Sequence, residues 1–105
     1  MSVINSERKH RLDFVLHEAI KLRIESFETR NAQSDMFVES NDLSIESLQH
    51  KIAGKTTKSN EVHQLAINKK EEAKKLSAKC DALIEQSQML EHAYHRILEY
   101  FSEKV

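Results

Sequence analysis

Between Val62 and Phe101 apolar residues recur in alternating steps of four and three, through Val62, Ala66, Lys69, Ala73, Leu76, Cys80, Leu83, Ser87, Leu90, Tyr94, Ile97 and Phe101. Ten of these twelve positions are apolar against nine of the other twenty-eight in the interval, so the phase is specific. A 3-4 repeat sustained without a skip is the pattern of a coiled-coil seam. It predicts one long C-terminal helix over about 60–103, with Val62, Ala66, Leu76, Cys80, Leu83, Leu90 and Ile97 carrying the seam. Lys69 and Ser87 interrupt it, either as register-setting polar residues or as a snorkelling stem and a merely small side chain.

The N-terminal part is helical by a different signal. Asn5 or Ser6 can cap a helix over about 6–38, and Leu12, Val15, Leu16, Ala19, Ile20, Leu22, Ile24 and Phe27 fall within an arc of about 200°. An arc that wide suits a helix touching more than one neighbour. The pattern thins between Thr29 and Asp35, and Ser40-Asn41-Asp42 is a cluster of capping residues. Ile45, Leu48 and Ile52 then return at helical spacing, predicting a short helix over about 43–53. Gly54 stands where a left-handed residue would end it, and the apolar-free stretch to Asn60 predicts a loop over 54–60.

These elements predict a single all-α domain, as an elongated helical hairpin or a three-helix arrangement with a long C-terminal coiled-coil helix. At 1.5 Å per residue a 44-residue helix is about 65 Å long, whereas a compact domain of this size has a radius of gyration near 13 Å. The first helix can lie antiparallel along most of it, and the rest of the seam is expected to meet another chain. Met89, Leu90, Ala93, Tyr94, Ile97, Leu98, Tyr100 and Phe101 spread over about 180° of the helix, wider than one neighbour covers. Met89, Tyr94, Leu98, Tyr100 and Phe101 are therefore the candidate partner-binding residues.

Composition narrows the chemistry. One Gly and no Pro remove glycine-rich phosphate loops and the turns of a many-stranded sheet. A formal charge of -1 leaves no net field for phosphate or anionic membrane. Cys80 alone can form neither an internal disulfide nor a multi-thiolate zinc site, and apolar runs no longer than three residues rule out membrane insertion and a signal-peptide core. The chain reads as cytoplasmic, with leaderless export as the alternative.

His92, His95 and Glu99 share a helix at spacings that could offer a metal two imidazoles and a carboxylate, yet they match no metalloprotease motif and are expected to be a solvated face. No cofactor and no catalytic residue is expected, since parallel helices at this size rarely enclose a water-excluding pocket. Lys69, Lys70, Lys74, Lys75 and Lys79 could form a phosphate-binding stripe, but Glu71 can pair with Lys74 and Lys75 along the helix and no aromatic residue is interleaved for base stacking.

The outline of about a hundred residues in a helical hairpin resembles the small secreted hairpins of type VII secretion systems, although their Trp-x-Gly turn is replaced by Ile52-Ala53-Gly54-Lys55. It is similar too to small coiled-coil subunits of trafficking or kinetochore complexes and to helical chaperones of type III secretion substrates. No functional residue is carried over from an outline. The expected function is a non-enzymatic protein–protein interaction module, an adaptor, assembly subunit or secretion chaperone. Its expected partner is a second copy or a heteromeric helical protein. The alternatives are an exported effector-like hairpin and a nucleic-acid-binding regulator.

Overall fold

The computed structural model describes residues 2–103, with side chains over 7–101. Two helices account for nearly all of it: α1, Ser2–Ile52, and α2, Thr56–Glu103. All-α architecture is thus shown, and the three-helix alternative is corrected to two helices. The helix expected over 6–38 and the short helix over 43–53 are one element, and the loop expected over 54–60 shrinks to the linking residues 53–55.

Both corrections share a cause, which is that serines near the expected breaks, Ser40 of the capping cluster among them, are used between helices instead. The Ser40 hydroxyl is buried and donates to the Ala66 carbonyl at 2.8 Å. The Ser47 and Ser59 hydroxyls each donate to the other's carbonyl, at 2.7 and 2.8 Å. A hydroxyl committed across the helix pair cannot fold back to cap its own chain. With neither Gly nor Pro between Ser2 and Ile52, nothing else stops α1.

The stop comes at Gly54, whose φ is +79°. Its N–H donates to the Lys51 carbonyl at 3.1 Å and the Lys55 N–H to the His50 carbonyl at 2.9 Å, the paired bonds of a Schellman motif. The Ser59 N–H then bonds the Lys55 carbonyl at 2.9 Å, which starts α2 at once.

The chain divides into two compact units, Met1–Phe27 with Asp81–Val105 (unit 1) and Glu28–Cys80 (unit 2). Unit 2 contains the turn and is itself a helical hairpin. Its facing positions are Ser47 with Ser59, Ser40 with Ala66, and Gln33 with Ala73, the last joined by the Gln33 amide donating to the Ala73 carbonyl at 3.0 Å. The residue numbers in every pair total 106, so the register is single and regular. Small contact residues favour the close end of the roughly 8–10 Å range of helix–helix distances. At that spacing a serine hydroxyl reaches the neighbouring backbone.

Unit 1 pairs residues of α1 before Glu28 with residues of α2 after Cys80. Ser87 is buried and donates to the Ala19 carbonyl at 2.8 Å, while Leu12, Ala19 and Leu83 fill the contact. Arg23 closes the flank on Glu91 at 3.3 Å.

Candidate functional site

In unit 1 the contact positions Leu83, Ser87, Leu90 and Tyr94 turn toward α1, so Met89, Ala93, Ile97 and Tyr100 lie to one side of them on α2. The result is a shallow, widely open trough along one face of α2, with Met89, Ala93 and Ile97 on its apolar side. Glu85, Gln88, His92 and Arg96 line it along one edge, which carries both signs of charge. Met89 is 66% exposed and Tyr100 54%, values high for side chains of that size on a two-helix surface.

The five residues singled out for partner binding thus separate into two groups. Met89, Leu98 and Tyr100 are exposed. Tyr94 and Phe101 are half-buried, and both line a narrower cleft, together with Leu98 and with Arg8 and Leu12 of α1. There the Arg8 guanidinium stacks over the Phe101 ring at 4.6 Å from its centre, a cation–π contact that fixes the ring against α1. The Tyr100 and Phe101 rings meet edge to face at 5.6 Å, so Tyr100 is oriented by a neighbour that is itself held.

Of the seam residues, Val62, Ala66, Cys80 and Leu83 are buried, Leu76 and Leu90 half-buried, and Ile97 is 38% exposed. The buried part of the seam lies against α1 of the same chain. Lys69, the charged residue within it, reaches the Glu39 carboxylate at 3.0 Å. That hydrogen bond, with the attraction of the same carboxylate, raises the Lys69 pKa above the ordinary lysine value, while partial desolvation opposes the shift. Ser87 is not merely small, since its hydroxyl is spent on Ala19. The lysine stripe therefore loses one of its five members to an internal ion pair; Lys70, Lys74, Lys75 and Lys79 remain exposed.

Among the described residues no group of three or more His, Cys, Asp or Glu side chains is placed to hold a metal ion. No helix there is long and apolar enough to cross a membrane.

The sequence reading missed the outward face of α1. Ile45, Leu48 and Ile52, whose spacing predicts a short helix, are 54%, 60% and 88% exposed, and in unit 1 Ile20, Ile24 and Phe27 are exposed as well. The residues that face α2 are Leu12, Ala19, Ser26, Gln33, Ser40 and Ser47, a seven-residue recurrence of mostly small side chains. The same recurrence runs through Ser59, Ala66, Ala73, Cys80 and Ser87 on α2, and that correspondence was the available signal. Compared with family models, with curated proteins and with solved structures, the chain matches none.

Proposed function

We propose that the chain is a non-enzymatic protein–protein interaction module, an adaptor, assembly subunit or secretion chaperone, that binds a partner helix along the C-terminal part of α2. The observation that carries this reading is the open face of α2 in unit 1, an apolar strip of Met89, Ala93 and Ile97 edged on one side by Glu85, Gln88, His92 and Arg96. An apolar strip edged by both charge signs suits an amphipathic helix laid along it, with the polar edge setting orientation. Met and Tyr supply contact area that adapts to a partner's shape.

The test uses the purified full chain as bait in extract of its native cell. Met89→Ala and Tyr100→Ala should weaken capture of a reproducible partner while leaving helicity and melting temperature nearly unchanged, because both side chains are exposed in the unbound chain. Undiminished capture, or a melting temperature lower by many degrees with capture by the folded fraction intact, would overturn the assignment of this surface.

A further inference from the structure

Unit 2 has its apolar residues the wrong way round for a free-standing hairpin. Among the described residues, its buried apolar side chains are Val62, Ala66, Ala73 and Cys80, none larger than valine. Val38, Ile45, Leu48 and Ile52 of α1 are at least as large, and each is more than half exposed. These four lie on a second 3-4 stripe, Asn31, Ser34, Val38, Asn41, Ile45, Leu48 and Ile52, all exposed and set apart from the Ser40 and Ser47 positions that face α2.

The residue types on this stripe select an occupant. In heptad terms Asn31, Val38, Ile45 and Ile52 take the first seam position and Ser34, Asn41 and Leu48 the second. β-Branched residues at the first with Leu at the second favour a parallel two-stranded pair, and an Asn at the first fixes register by facing its own copy. The flanks carry opposite signs. Asp35 and Asp42 border one side, Arg30 and Lys51 the other, and all four are exposed.

In a parallel pair each flanking residue of one sign meets the residue five further along in the other copy, which sets Arg30 opposite Asp35 twice over. An antiparallel pair would set acidic flank on acidic flank and basic on basic, which is repulsive. We propose that a second copy of this chain packs in parallel, in register, along the Asn31–Ile52 face of α1 in unit 2. The α2 trough plays no part in this contact, so either proposal can fail without the other.

The full chain, studied by sedimentation equilibrium across the micromolar range, is expected to show twice its 12.2 kDa mass. Ile45→Lys should raise the dissociation constant by about a hundredfold or more, because it places an unpaired charge in the seam. Its helicity should be unchanged, since that side chain is exposed in the single chain. Arg30→Glu and Asp35→Arg should each raise the constant by about tenfold, and the two together should restore it to within about threefold.

Orientation is read in a Cys80→Ser background. There Ser34→Cys should oxidise to a linked dimer, because a parallel pair brings the two Cα atoms within the roughly 4.4–6.8 Å that a disulfide accepts. A monomer mass throughout the range would overturn the proposal. So would an Ile45→Lys dimer of undiminished affinity, a charge swap that fails to restore pairing, or Ser34→Cys that links only to Leu48→Cys in a mixture of the two.

Discussion

Ser40→Leu is the substitution on which a hydrophobicity argument and this structure disagree most. Leucine at a buried, seam-facing position of a long helix would ordinarily stabilise, and fully burying it could contribute about 1.5–3 kcal/mol. Ser40, however, is 5% exposed and its hydroxyl touches the Ala66 backbone at 2.8 Å, so no space remains for extra carbons unless the helices separate. Overpacking costs about 1–3 kcal/mol, and the lost hydrogen bond about 1 more. The leucine cannot recover its transfer term without opening the close contacts at Ser47 and Ala73 on either side. A net loss of about 2–4 kcal/mol is expected, with the melting temperature lower by roughly 10–25 °C for a chain this size. Ser40→Ala is the control: it loses the same bond, gains up to about 0.7 kcal/mol of helix propensity and should stay within about 1 kcal/mol of wild type. Urea denaturation followed by circular dichroism measures all three proteins. A Ser40→Leu protein as stable as wild type, or more so, would refute the close-packed seam.

Leu83→Asp should cost several kcal/mol and appear as lost helicity, because Leu83 is buried against α1 of its own chain; loss of mass with helicity retained would instead put that seam between chains. Gly54→Ala meets nothing within 4 Å, so its penalty is conformational only, about 1 kcal/mol for φ of +79°, read from the urea midpoint; no change would mean that the turn relaxes freely. Lys69 is stabilised in its charged form by Glu39, so its contribution is complete below the ordinary lysine pKa and disappears as pH rises through the raised value. The midpoint advantage of wild type over Lys69→Gln should accordingly hold at neutral pH and close on the alkaline side, and a gap that persists there would assign the difference to packing.

α2 was legible because its seam is almost entirely apolar, so the residues that recur and the residues that touch α1 are the same. α1 was not, because its contact positions after Leu12 are small or polar, Ala19, Ser26, Gln33, Ser40 and Ser47, while its large residues, Ile45, Leu48 and Ile52, look outward. Hydrophobic periodicity reports where apolar residues are, and in α1 that is not where the neighbour is. Ser40-Asn41-Asp42 misled for a related reason: the side chains that cap helices are also the small polar ones that let two helices approach. The turn at Gly54 was readable since only a left-handed residue satisfies the geometry there. At the C-terminal end of α2 the width of the apolar arc was visible in sequence, but not that Arg8 and Leu12 cover Tyr94 and Phe101 while leaving Met89 and Tyr100 open.

The reciprocal Ser47–Ser59 bonds carry a consequence for the order in which the chain folds. They close a separation of only 12 residues, against 26 for Ser40 with Ala66 and 40 for Gln33 with Ala73. Loop closure grows costlier by about 0.6 kcal/mol per doubling of length, so the first clasp to form is the one beside Gly54, and each later clasp closes a loop already shortened by its predecessor. Folding should zip away from the turn, with Ser59→Ala slowing refolding and Gln33→Ala mainly hastening unfolding. The three residues of the link, the smallest element of the molecule, would then set the rate at which the whole of unit 2 appears.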